Sequence, residues 1–359
     1  MNQADVLPSL PSGARILFIR LRSLGDTVLS TPLYSALKAW QPDLRLSVLV
    51  EKPYDEILQN HPDVDQVISI ATNSGGRLAS FLSRVSALKR IRSESFDCCI
   101  NLHGGSTSAW FTGLSRARYR VGLQSFRFAA CYNVHIQQST PNSVQGKLHT
   151  IEYQMDWLRS LGMPRGETPP SKVVPDPELE QQVTDTLARA GVEPGKVYCV
   201  VQPTSKFYTK EWTAEGFAEI VDYLQVPLGF QVVLTGGLGE ELKLRKVAEL
   251  CQRRPVVIEK ISISELLWVI RKAKMFVGND SGPTHIAAAL NIPTVVLFGS
   301  SDSAVWYPWK SPHRIVQNPF ECNPCPGYRC LVFDEPKCIL SITSHQVKAA
   351  IEALLGFPH

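Results

Sequence analysis

The sequence has no apolar run approaching the ~18 residues that cross a bilayer. Its first residues, MNQADVLPSLPSG, lack the basic-then-apolar order of a secretory signal and read as a loose tail on a cytoplasmic protein. Neither sign of charge dominates: 37 Lys and Arg stand against 33 Asp and Glu, and a net charge of +4 does not by itself make a nucleic-acid binder. What is present is ordinary globular material, 44% hydrophobic and 19% charged over 359 residues, enough for two packed domains. The nine cysteines read as thiols or metal ligands rather than structural disulfides.

The most informative stretch is Val277–Gly299, VGNDSGPTHIAAALNIPTVVLFG. Met275–Val277 and Thr294–Phe298 are short apolar runs of the kind that form buried parallel strands. Between them Asp280-Ser281-Gly282-Pro283 opens a helix, with Pro283 suited to the first helical turn and Gly282 allowing close approach of a ligand. The stretch is either an ordinary βαβ turn or a helix start that holds an anion.

Earlier in the chain, the strand Arg15–Leu21 runs into Arg22-Ser23-Leu24-Gly25-Asp26 and a helix carrying Leu29, Leu33 and Leu37 on one face. Leu44–Val50, Val64–Ile70 and Asp97–Leu102 are further strands, with crossover helices marked by Tyr54–Leu58 and Leu78–Ile91. This alternation predicts an α/β, doubly wound parallel sheet. Asp26 either caps its helix or acts as a general base, and the two roles are compatible. His103, before Gly104-Gly105, is a cleft-lining candidate. Arg116, Arg118, Arg120 and Arg127 interleave with Tyr119, Phe126 and Phe128, as a solvated basic surface or a docking face for an anionic, membrane-attached acceptor.

A Pro-rich linker, MPRGETPPSKVVPDPE, follows the helix His149–Gly162. A second α/β pattern begins with the strand Val197–Val201, which leads to Thr204, Ser205, Lys206, Lys210 and Trp212. The strand Gln231–Thr235 leads to GGLGE, where Glu240 either caps a helix or takes a ribose. No Gly-Lys-Ser/Thr follows, so this turn is not a P-loop. Cys322, Cys325, Cys330 and Cys338 are either zinc ligands or reduced thiols packing a loop. Thr343-Ser344-His345-Gln346 is a capping-box start for a tail helix with Val347, Ala350, Ile351 and Leu354 on its apolar stripe.

Gly25-Asp26 after the first strand, the Thr204–Lys210–Trp212 segment, GGLGE and above all GNDSGPTHIAAALNIPTVVLFG resemble glycosyltransferase family 9, the lipopolysaccharide heptosyltransferases, from Arg15 to Leu355. The cysteine segment and tail are similar to the heptosyltransferase II and III type. The resemblance implies the GT-B architecture: two Rossmann-like, doubly wound parallel-sheet domains facing a central cleft. Its expected parts are an acceptor domain over residues 1–170, a nucleotide-sugar domain over 171–342, and a terminal helix, 343–359, packing back on the first. It implies an inverting, metal-independent transfer of heptose from an ADP-heptose donor to a lipopolysaccharide inner-core acceptor at the inner face of the inner membrane. No cofactor, metal or nucleic acid is implied. By position, Asp26 is the implied base. Thr204, Ser205 and Lys210 hold the donor diphosphate, Lys210 also serving catalysis. Glu240 takes the ribose and Asp280 the heptose hydroxyls, with Ser281, Gly282 and His285 near the diphosphate. Gly25, His103 and Arg120 are the acceptor-side candidates. The sequence shows no carboxylate pair that would obviously hold Mg²⁺ beside the phosphates. The alternatives are a transferase or epimerase using another nucleotide-sugar, and a non-catalytic module whose cysteines hold zinc and whose arginines grip a polyanion.

Overall fold

An uninterrupted apolar run reads as a strand covered on both faces, and Arg15–Ile19 (β1) is buried at every position after Arg15. The structure, a computed structural model, describes residues 3–71, 76–137, 147–325 and 327–356. The chain divides into two units, Met1–Lys172 and Val173–His359.

In the first unit β1 is followed by α1 (Leu24–Trp40), β2 (Arg45–Glu51), β3 (Gln66–Ile70), α2 (Arg77–Glu94), β4 (Cys98–Asn101), α3 (Ser106–Leu114), β5 (Tyr119–Leu123), β6 (Val134–Ile136) and α4 (Thr150–Ser160). Its sheet has the order β3-β2-β1-β4-β5-β6, every neighbouring pair parallel. The chain reverses its direction of travel across the sheet between β1 and β4, and a crevice opens at the carboxyl ends of such a pair.

Two local expectations are corrected in this unit. The Tyr54–Leu58 segment is a 3-10 turn, Tyr54–Ile57, rather than a crossover helix, and Asp55 pins it by accepting from Ser69 Oγ at 2.7 Å. The N-terminal segment is no loose tail from residue 3 onward. Val6 and Leu7 are fully buried, and Leu7 N donates to Leu161 O just beyond α4 at 2.9 Å. Of the interleaved basic and aromatic residues, Tyr119 opens β5 and is buried, while Arg118 just before it is exposed.

The second unit runs α5 (Glu180–Ala190), β7 (Tyr198–Gln202), α6 (Ala214–Gln225), β8 (Gln231–Thr235), α7 (Glu241–Leu250), β9 (Val256–Ile258), α8 (Ile263–Arg271), β10 (Phe276–Asn279), α9 (Gly282–Ala289), β11 (Thr294–Leu297), α10 (Ser303–Trp306), β12 (His313–Val316), α11 (Lys337–Leu340) and α12 (Ser344–Leu355). The order β9-β8-β7-β10-β11-β12, again all parallel, repeats that of the first sheet, so the switch point falls between β7 and β10. The terminal helix α12 starts with the expected capping box at Thr343. It packs on β11, β12 and α6 and belongs to the second unit, where the family resemblance had assigned it to the first. Val347 and Ile351 decide this: both are fully buried in the second unit's core, each contributing about 1.5–3 kcal/mol.

One buried base links the first unit's stability to pH. His61 is 3% exposed, lies edge-on to Tyr34, and accepts from Asp63 N at its Nδ1. Burial lowers its pKa from 6.5 to about 4, against the pull of Asp63. A lowered histidine pKa gives stability that is complete above the unfolded value and lost as pH falls from about 6.5 toward 4, about 3 kcal/mol in all. Urea unfolding across that window is expected to show a steeper loss for the wild type than for His61→Gln; parallel curves would contradict this.

Candidate functional site

In the first unit, β1 and β4 end in register at Ile19 and Asn101. Arg20 leaves β1 buried and donates from Nη2 to Gln154 Oε1 at 3.0 Å; its Nη1 lies 4.0 Å from Asp26 Oδ1. Asp26 sits in the first turn of α1, and its Oδ2 accepts from Ser23 N and Ser23 Oγ at 3.2 and 3.0 Å. The carboxylate therefore caps the helix through one oxygen, while a third of the side chain remains exposed. Gly25 precedes it within the same turn.

His103 follows β4 and is oriented from below: Asn101 Oδ1 accepts from the backbone N–H groups of His103 and Gly104 at 2.9 and 3.1 Å. Burial depresses its pKa below 6.5, reinforced by Arg20 and Arg22 and opposed by Asp26 and Glu51. A Cβ at Gly105 would lie 3.2 Å from the imidazole, a tight contact that packs the turn against it. Arg22 in turn pairs with the buried Glu51 at 2.7 Å. Asp26 and His103 thus follow the two strands of one switch point, and Arg20 and Arg22 are near enough to act on the imidazole. Arg120 does not join them. It stands at the amino end of β5, where its guanidinium donates to the carbonyls of Cys131 and Ala117 at 3.2 and 2.9 Å.

The second unit gathers its candidates more tightly. Lys210, after β7, donates from Nζ to Asp280 Oδ2 at 2.7 Å, and Ser301 Oγ donates to the same oxygen at 2.5 Å. Asp280 directly follows β10 and is 4% exposed, so the cation and the hydroxyl replace the water that such a carboxylate gives up. Asn279 ties the loops together, donating to Pro203 O at 2.9 Å and accepting from Trp212 N at 3.1 Å. Thr209 is buried and donates to Gly327 O at 2.6 Å, which fixes the turn that carries Lys210.

Ser281 is the N-cap of α9 in extended conformation, and its buried Oγ has no hydrogen-bond partner among the described residues. Gly282 opens the helix and His285 is buried in its first turn and a half. Thr204 is buried and accepts from Gln202 Nε2 at 2.8 Å, with Ser205 buried beside it and Lys206 exposed. Glu240 folds back on its glycine turn, Oε2 accepting from Gly237 N at 2.7 Å. Every one of these positions follows a strand at the carboxyl edge of the second sheet. A lysine, hydroxyls and free helix N–H groups converging there suit a diphosphate.

Cys322, Cys325, Cys330 and Cys338 line one cavity of about 170 Å³ with Thr209 and Ser300. Among the described residues no three His, Cys, Asp or Glu side chains are grouped to hold a metal. Asn279, Ser301, Thr209 and Arg20 escaped the sequence reading. Asn279 adjoins Asp280 in the same motif, but Arg20, Thr209 and Ser301 act through contacts far apart in the chain and leave no local signal.

The fold and these edges are those of an α/β protein with two parallel six-stranded sheets, each carrying polar side chains at its carboxyl edge. The chain belongs to glycosyltransferase family 9 (heptosyltransferase), whose profile matches residues 84–333, and it is a glycosyltransferase. It is 29% identical over 296 residues to lipopolysaccharide heptosyltransferase 3 of Escherichia coli, covering 81% of this chain and 85% of that one. Among solved structures it resembles a family 9 glycosyltransferase from Veillonella parvula (TM-score 0.85, 21% identity, 97% and 99% of the chains). It also resembles the E. coli ADP-heptose lipopolysaccharide heptosyltransferase II (0.77, 20%, 95% and 98%). The shared architecture is the GT-B fold.

The Lys210–Asp280 pair yields a stability test. Removing the ammonium strands a buried carboxylate, a loss of 3–5 kcal/mol for fully buried pairs and about 2 kcal/mol here, because Lys210 keeps 22% of its side-chain exposure. Lys210→Met is expected to show that loss in urea unfolding, and adding Asp280→Asn to recover most of it. Additive losses would mean the pair is not coupled.

Proposed function

We propose that the protein transfers heptose from ADP-heptose to a lipopolysaccharide inner-core acceptor, with inversion and without a metal, working at the inner face of the inner membrane. The observation that carries this is the buried Asp280 held by Lys210 and Ser301 beside the open start of α9, within a family 9 chain. Lys210 and the α9 N–H groups neutralise the departing diphosphate, with Ser281, Gly282, His285, Thr204 and Ser205 lining its place. Both bonds to Asp280 end on Oδ2, which leaves Oδ1 to accept from heptose hydroxyls. Glu240 takes the ribose through the oxygen not used by Gly237.

On the acceptor side Asp26 removes the proton from the attacking hydroxyl. That oxygen bonds to the anomeric carbon as the bond from carbon to diphosphate breaks, and ADP leaves. Capping through Oδ2 holds the carboxylate, so Oδ1 is the base oxygen. His103 and Gly25 line the acceptor side. Arg120, occupied by backbone carbonyls, is left out of this scheme. Among the described residues no helix is long and apolar enough to cross a membrane.

Assay with ADP-heptose and a lipopolysaccharide acceptor is expected to show turnover reduced about 10²–10⁴-fold in Asp26→Asn with donor affinity kept, and both lowered in Lys210→Ala. Wild-type turnover in Asp26→Asn would remove Asp26 as the base. Product formed from ADP-heptose without acceptor would point to an epimerase instead.

A further inference from the structure

Among the described residues of its unit, the outward face of α2 is left uncovered. At 100° per residue Leu78, Phe81, Leu82, Lys89 and Arg92 fall on one stripe, while Ser80, Ala87 and Ile91 lie buried on the opposite side. Leu78, Phe81 and Leu82 are 71%, 62% and 56% exposed, a cluster of large apolar side chains that a surface helix ordinarily turns inward. A second apolar group stands on α3 and the turn after β5, where Trp110 is 55% exposed and its ring lies 5.8 Å from that of Phe128. The two are bridged by Arg92, whose Nε donates to Leu114 O at the end of α3 at 3.1 Å.

Cations outnumber acids around these groups. Residues 78–131 contain eight Lys and Arg against two acids, Glu94 and Asp97. Both acids are engaged by Arg15, Glu94 by its guanidinium at 2.7 Å and Asp97 by its backbone N–H at 2.9 Å. Lys89, Arg90, Arg116, Arg118 and Arg127 are exposed.

We propose that this face, Leu78, Phe81 and Leu82 of α2 with the neighbouring cations and Trp110, docks on an anionic phospholipid bilayer. Apolar side chains enter the boundary between headgroups and acyl chains while Lys and Arg meet the lipid phosphates. A soluble polyanion would be satisfied by the cations alone and would gain nothing from Leu78 and Phe81 in water. The inference deepens the proposed function by naming the surface that meets the membrane, and its test uses neither donor nor acceptor.

The full-length protein is incubated with phosphatidylethanolamine–phosphatidylglycerol vesicles, and with phosphatidylcholine vesicles, then sedimented. Binding to the anionic vesicles that weakens with salt is expected, about tenfold lower for Leu78→Ser/Phe81→Ser/Leu82→Ser and about fivefold lower for each cation removed, as in Lys89→Gln. Far-UV circular dichroism is expected to be unchanged, because the three side chains are exposed. Failure of the wild type to sediment, or variants that bind as the wild type does, would overturn the proposal. A triple variant that binds vesicles normally but alters the mass measured by light scattering would assign the face to a second copy of the chain.

Discussion

A carboxylate taken out of water must be matched by a cation and by donors, and Asp280 is where this chain meets that demand. Its position straight after β10 makes Lys210 reach across from the loop after β7, and Ser301 from the loop after β11. Three loops are thereby tied to one oxygen. Asn279 and Thr209 hold those loops from behind, through Pro203, Trp212 and Gly327. The cost of burying charge, which makes an isolated pair weak evidence for stability, here argues for a site held ready.

Both units use one topology for different chemistry. In each, the order of strands reverses beside the central strand, and the candidate side chains stand at that reversal. The first unit places a half-capped carboxylate and a histidine of lowered pKa there, groups fitted to move or receive a proton. The second places a lysine, hydroxyls and a helix N-terminus there, groups fitted to hold negative charge. Fold alone would not separate the two, since many functions share this sheet; the residues at the edge do.

Much of this was legible because it is local. Strand-turn-helix punctuation at Gly25-Asp26, Gly236–Glu240 and Asp280–Pro283 marks the carboxyl edge, and the capping box at Thr343 marks α12. What was not legible depends on contacts distant in sequence. Charge at Arg120 suggested an acceptor contact, but β5 directs it to backbone carbonyls at the other end of the sheet. The N-terminal residues suggested a tail until Val6 and Leu7 met the end of α4, and α12 was assigned to the first unit until its apolar stripe met β11, β12 and α6. Tertiary packing, rather than propensity, settled each of these.

The central claim is that the donor sits on the second unit against Lys210 and the start of α9. A crystal structure of the protein with ADP tests it most directly. The account requires the diphosphate within hydrogen-bond reach of Lys210 Nζ and the N–H groups of Gly282 and its neighbours, with the ribose at Glu240. ADP bound at the carboxyl edge of the first sheet, beside Asp26 and His103, would contradict it.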